Sequence, residues 1–310
     1  MIYTDNSSKI YKCKLFAFII VLYTILDMIL GFLGKGGSGK SSVATQVTLW
    51  LNNSGKNVLA IDADHNMDLA YNIFNGEVPN NMPYFGSSVL EMSNFIGLEK
   101  GEKYTQAFLR KTSEKFSLHP IDEITKKLSI SNNNGIRVMA AGPQTEKVLY
   151  GQSCSHILTT PLKMYLPLLN INENEYVTVD EKAGADGVST GIVTGIDVGV
   201  IVCEPALHSI KTAKQIAELM DFYETPYVFV ANKIQNSEDK DFVVEKLGTE
   251  PVCYLLESNN IKRDPGIVIK EWSDEIYSIV SRGHELNQNN RLERTQRKFE
   301  RNNNFENKQN

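Results

Sequence analysis

Gly34-Lys35-Gly36-Gly37-Ser38-Gly39-Lys40-Ser41-Ser42 is the stretch whose reading decides the fold. The apolar run Met28-Ile29-Leu30-Gly31-Phe32-Leu33 leads into it. A helical pattern with Val43, Val47, Trp50 and Leu51 on one face leads out. This is G-x-x-x-x-G-K-[ST] in its required setting of strand, Gly-rich loop and helix. Such a loop surrounds nucleotide phosphates with backbone N–H groups at a helix N-terminus. Gly34, Lys35, Gly36, Gly37, Ser38, Gly39, Lys40, Ser41 and Ser42 are therefore the expected binding residues for a nucleoside triphosphate. Lys35 is extra to the minimal motif. A second lysine beside the β/γ-phosphates neutralises charge that develops in the transition state, as an arginine finger does, so Lys35 joins Lys40 as an expected catalytic residue.

Strands and helices alternate after the loop. Residues 58–61, 136–141, 176–179, 198–203 and 227–231 read as buried strands. Ile210, Ala213, Ala217 and Met220 mark an amphipathic helix between the last two. The expected fold class is α/β: a doubly wound, mainly parallel sheet with helices on both faces. Ligands in such sheets bind beyond the carboxyl ends of the strands. Residues 71–134 are expected to elaborate the same domain, with helices around 89–95 and 105–116.

The strand ends carry the remaining chemistry. Asp180 closes a hydrophobic strand about 140 residues after the loop, the spacing of a carboxylate that holds Mg²⁺ opposite the Ser41 hydroxyl. Asp62-Ala63-Asp64 ends the strand after the first helix. Asp64 is expected to orient the attacking water, and Asp62 to complete the Mg²⁺ shell. A capping pair is the structural alternative. Asn232-Lys233 follows another strand; a side-chain amide at Asn232 can pair with a purine edge.

Composition narrows the rest. The 310 residues carry a net charge of −5, which argues against a partner held by bulk positive charge, such as nucleic acid. Cys13, Cys154, Cys203 and Cys253 are scattered without a C-x-x-C pair, a pattern that fits a reducing cytosol. Cys203 and Cys253 lie in strand-like runs and read as buried apolar residues. Residues 1–27 form an apolar leader. Lys9, Lys12 and Lys14 precede the run 15–26, which is short for a membrane span. A start at Met28 is the preferred reading, and a membrane partner is expected only if the 15–26 segment acts as an anchor. The ATPase domain is expected over 28–282. Residues 283–310, rich in Asn, Gln, Arg and Glu, are expected to be disordered or a frayed helix.

The loop with its early lysine resembles the deviant Walker A of the MinD/ParA class of P-loop ATPases, and Asp62-Ala63-Asp64-His65-Asn66-Met67-Asp68-Leu69 resembles their switch I, with His65 where proline is usual. Within that class the chain looks most like the carbon monoxide dehydrogenase maturation ATPases (CooC type). The likeness rests on Asp180-Glu181-Lys182-Ala183-Gly184 (switch II), on Val202-Cys203-Glu204-Pro205 and on Ser209-Ile210-Lys211-Thr212-Ala213. The resemblance implies a cytoplasmic ATP- and Mg²⁺-dependent homodimer, with Lys35 reaching across the interface, and a client metalloenzyme. It also implies a C-x-C metal motif at the dimer interface. Here Gln152 stands at the first cysteine position and Cys154 alone remains, beside His156. Two copies would supply two thiolates and two imidazoles, a set suited to Zn²⁺, with Ni²⁺ the metal that family serves. The alternatives are a positioning or partition ATPase, for which Arg291, Arg294, Arg297, Lys298 and Arg301 offer a basic surface, and an ATP-gated electron-transfer iron protein.

Overall fold

β1 (Met28–Gly34) is buried at all of its positions, the mark of a strand covered on both faces. It lies between β5 (Glu175–Asp180) and β6 (Val198–Cys203), parallel to both. The computed structural model describes residues 27–88, 91, 93, 94, 97–113, 123–144, 146, 150, 159–189, 191–264 and 266–309. β2 (Asn57–Asp62), β3 (Ser129–Ser131), β4 (Arg137–Ala140), β7 (Tyr227–Ile234) and β8 (Cys253–Leu256) complete the sheet, in the order β3-β4-β2-β5-β1-β6-β7-β8. Every pairing is parallel except β3 with β4 at one edge.

The described helices are α1 (Lys40–Asn53), α2 (Asp68–Ile73), α3 (Tyr104–Ser113), α4 (Glu123–Lys127), α5 (Leu162–Leu168), α6 (Ala185–Ser189), α7 (Leu207–Phe222), α8 (Ser237–Leu247), α9 (Asn259–Arg263), α10 (Ser273–Leu286) and α11 (Arg291–Gln309). They sandwich the sheet. Val43, Val47 and Leu51 of α1 and Ile276, Ile279 and Val280 of α10 bury against Leu30, Phe32 and Val200 on one face. Ile210, Ala213, Ile216 and Met220 of α7 bury against Leu33, Ile201 and Cys203 on the other. The expected doubly wound sheet is therefore present. The register sets Asp180 opposite both Phe32 and Asp62, so the carboxyl ends of three central strands come level.

Three differences from the sequence reading have physical causes. β3 is a three-residue polar edge strand, too short to show a period. The strand expected to stop at Ala231 continues to Ile234, carrying Asn232 and Lys233 with it. The third difference is larger. Residues 291–309, expected to be disordered or frayed, form α11. Its residues Arg294, Thr295 and Phe299 are buried. The Phe299 ring meets Phe108 edge-on, with centroids 5.1 Å apart. Counting apolar side chains missed this helix, because much of its buried surface comes from arginine and lysine stems whose polar heads find carbonyl partners. The expectations for residues 1–26, for Gln152, Cys154 and His156, and for much of the 89–95 helix fall outside the described residues. Among the described residues no helix is long and apolar enough to cross a membrane.

Two outcomes test this packing. Phe299→Ala should lower the unfolding free energy by about 3 kcal/mol in urea titrations, the usual cost of emptying a buried aromatic site; a disordered tail would show no change. The second concerns His284 of α10. Its Nε2 lies 3.0 Å from the Tyr176 hydroxyl, its Nδ1 is buried without a partner, and burial pushes its pKa down to about 4. The folded state thus binds this proton more weakly than the unfolded chain does. Its contribution to stability is complete above pH 6.5 and is lost as pH falls from there toward 4. His284→Phe should therefore flatten the fall in Tm across that window.

Candidate active site

The loop after β1 turns into α1 through Gly39, whose φ of +88° closes the turn. A Cβ there would stand 2.2 Å from the Asn232 amide nitrogen, so the position admits only glycine. α1 begins at Lys40 with no side-chain cap and no acidic residue in its first turn, which leaves its N-terminal N–H groups and positive dipole end facing the loop. Gly34 is pinned from below: its carbonyl accepts from the Gly184 N–H at 2.8 Å. Lys35, Gly36, Gly37 and the stretch from Gly39 to Ser42, together with Asp64 and Lys233, line a cleft of about 420 Å³, within the range of small-molecule sites.

The expected charges converge here. Lys40 Nζ donates to Asp180 Oδ1 at 2.5 Å, and both side chains are buried. Burial opposes the ammonium, yet the Asp180 carboxylate beside it overrides that and holds the Lys40 pKa above its ordinary value. Burial pushes the Asp180 carboxyl up, against the pull of Lys40. The Ser41 hydroxyl beside it draws the Asp180 carboxyl the same way as Lys40 does, downward. Asp180 Oδ2 has no hydrogen-bond partner. A hydroxyl and an unpartnered carboxylate oxygen, side by side at the loop, are hard oxygen donors, and they fit Mg²⁺. Asp64 is buried at the cleft wall, where it accepts from the Asn66 N–H at 3.2 Å with His65 Nδ1 at 3.3 Å. Lys35 is half-buried at the cleft, and its ammonium has no ion-pair partner among the described residues.

Two expected residues make contacts within the chain that the sequence reading did not include. Asp62 was expected in the Mg²⁺ shell. It is fully buried, and its two oxygens accept from the Asp64 N–H at 3.1 Å and the Ala70 N–H at 2.9 Å. Burial and then the neighbouring Asp180 push its pKa well up. It braces the segment that carries Asp64. Asn232, expected at a purine edge, donates from Nδ2 to the Ser38 carbonyl at 2.9 Å and so ties β7 to the loop.

Two residues, Lys233 and Glu181, gained significance only in the folded chain. Lys233, at φ +58°, donates to the Gly37 carbonyl and to Glu204 Oε2, the latter at 2.7 Å. It links the loop to the ends of β6 and β7. Glu181 is buried with both oxygens unpartnered, and burial raises its pKa to about 8, so the carboxyl is neutral at neutral pH. Its apolar setting was invisible in a run of polar letters. Cys203 and Cys253 are free and buried, as expected, with burial pushing both thiols up to about 12.

Comparison with known proteins agrees with this geometry. Residues 30–255 match the family described as the CobQ/CobB/MinD/ParA nucleotide binding domain. An ATP-binding protein of Methanocaldococcus jannaschii is 25% identical over 246 residues, which span 79% of this chain and 94% of that one. The carbon monoxide dehydrogenase accessory protein CooC of Rhodospirillum rubrum is 29% identical over 218 residues, 69% of this chain and 77% of that one. The crystal structure of a ParA family ATPase from Chlorobium tepidum superposes with a TM-score of 0.55 at 16% identity, over 85% of this chain and all of that one. The MinD cell division protein of Aquifex aeolicus gives 0.51 at 19% identity, over 84% and 97%. These structural likenesses establish the fold. The chain belongs to the CobQ/CobB/MinD/ParA family and is a P-loop ATPase.

Gly39→Ala tests the cradle. The added methyl group would displace Asn232 and strain the turn. Affinity for ATP measured by calorimetry should fall at least about tenfold, equivalent to ~1.4 kcal/mol.

Proposed function

As a member of this family, the chain is, we propose, a cytoplasmic ATPase that dimerises around ATP and assists metal insertion into a client metalloenzyme resembling carbon monoxide dehydrogenase. The observation that carries the dimeric half of this reading is Lys35. Its ammonium stands at the cleft without an ion-pair partner among the described residues, although carboxylates lie nearby. A cation so placed suits the phosphates held by a second copy. The client half rests on the likeness to the accessory protein CooC.

In this reading the loop amides and Lys40 hold the phosphates, and Lys40 leaves Asp180 as they arrive. Ser41 and Asp180 hold Mg²⁺, which when bound offsets charge on the β- and γ-phosphate oxygens. Asp64 orients the attacking water. Water adds to the γ-phosphorus as the bridging bond to ADP breaks, and Lys35 of the second copy offsets the charge on the leaving oxygens. Asn232 keeps the loop in register, and a contact to the base from its remaining amide atoms belongs to the same proposal. Cys154, paired across the dimer and joined by His156, would hold Zn²⁺ or Ni²⁺.

The structure weakens the partition alternative. Arg291, Arg294, Arg297, Lys298 and Arg301, its proposed basic surface, are all engaged with carbonyls or carboxylates of the same chain. The iron-protein alternative lacks surface thiols among the described residues, since Cys203 and Cys253 are buried.

Lys40→Ala should abolish ATP hydrolysis, and normal turnover would refute the nucleotide assignment. Lys35→Ala should retain ATP binding but lose ATP-dependent dimerisation in analytical ultracentrifugation, with hydrolysis down at least about a hundredfold. Metal content of the ATP-bound dimer should fall on Cys154→Ala; equal content in both proteins would sink the metal-site reading.

A further inference from the structure

Asp64 and His65 stand side by side just beyond the end of β2, and the two oxygens of Asp64 are not alike. Oδ1 accepts from the Asn66 N–H at 3.2 Å, and His65 Nδ1 lies 3.3 Å from the same oxygen. Oδ2 has no hydrogen-bond partner among the described residues, and the side chain keeps 10% of its surface open. Asp64, Asn66 and Asp68 line the cleft with the phosphate loop, whereas His65 is not among the lining residues. One carboxylate oxygen is thus held from within the chain, and the other is left to accept.

The backbone around the pair is fixed as well. Asp62 holds the Asp64 N–H, and the Met67 N–H closes a turn onto the Asp64 carbonyl at 3.2 Å. His65 takes the second position of that turn. Proline suits this position best on backbone grounds, because its ring presets φ there. An imidazole gives up that advantage and sets a ring nitrogen beside the carboxylate instead. The His65 side chain is 23% exposed, so it is not a core-filling residue.

We propose that His65 is a positioning residue for ATP hydrolysis: an Nδ1–H donated to Asp64 Oδ1 holds the carboxylate so that Oδ2 meets the attacking water. This rests on the reading above in which Asp64 orients that water. The carboxylate torsion of an aspartate is broad, and two donors on one oxygen narrow it more than the Asn66 amide does alone. Misplacing a reacting group by about 1 Å costs on the order of a hundredfold in rate. The contribution of His65 is therefore to turnover, while ATP affinity comes from the loop.

Steady-state ATP hydrolysis by the full chain with Mg²⁺ tests this. His65→Ala should lower kcat at least about fivefold and leave KM for ATP within about twofold. His65→Asn, whose amide can set a donor close to where Nδ1 stands, should keep kcat within about twofold of the unmodified chain. His65→Pro should keep or raise Tm, as the turn favours, and yet lose kcat as His65→Ala does. A residue that serves only the turn would give a proline variant with normal turnover, and that result overturns the proposal. So does a His65→Asn protein as slow as His65→Ala. Asp64→Asn should remove most of the rate, and adding His65→Ala to it should cost no more. A further loss as large as that of His65→Ala alone would mean that the imidazole acts without Asp64, which also overturns the proposal. Normal kcat in Asp64→Asn would instead overturn the reading of Asp64 as the water-orienting group, and the role of His65 with it. The comparison of the asparagine and proline variants stands without His65→Ala, so an unstable alanine variant does not spare the proposal.

Discussion

The buried pair of Lys40 and Asp180 is the constraint around which the active end of the molecule is arranged. An ammonium at the first residue of α1 and a carboxylate at the last residue of β5 meet at 2.5 Å, both buried. Neither charge is tolerable there alone; removing one partner of such a pair typically costs about 3–5 kcal/mol. The pair thus locks the helix carrying the loop to the strand that ends in Asp180. Asp62, level with Asp180 in the sheet, adds a second carboxyl that burial holds well above its ordinary range.

The loop is braced from its far side by β7. Asn232 and Lys233 reach the Ser38 and Gly37 carbonyls, and Glu204 holds Lys233. These contacts fix two of the loop carbonyls, and the Ser38 N–H is held within the loop by the Lys35 carbonyl at 3.1 Å. The same economy of geometry extends below the site. The segment after Asp180 is fastened to Gly34 through Gly184, and Gly191 beyond it is held by Lys298 of α11.

Much of the architecture was legible in the letters, because its signals are local. The strands at 58–61 and 198–203 announce themselves as apolar runs ended by polar residues, and Asp64 and Asp180 lie where such runs stop. The unread parts depend on partners far away in sequence. Asp62 looks like Asp64 until the Ala70 N–H is seen to claim its oxygen. Glu181 reads as a polar switch residue until the fold encloses it. The arginines of α11 look like a solvated basic tail until carbonyls about a hundred residues away accept their hydrogens.

The sequence by itself determined that this chain is a P-loop ATPase with an extra lysine at its loop, on a doubly wound sheet. Those properties follow from residue type and spacing within single elements, where backbone conformation and hydrophobic period leave one reading. The tertiary structure alone decided which charged residues are partnered within the frame and which line the cleft. A carboxylate or guanidinium has many possible partners along a chain, and the choice among them is made by burial, which forces each polar group to whichever partner the packed elements bring within reach.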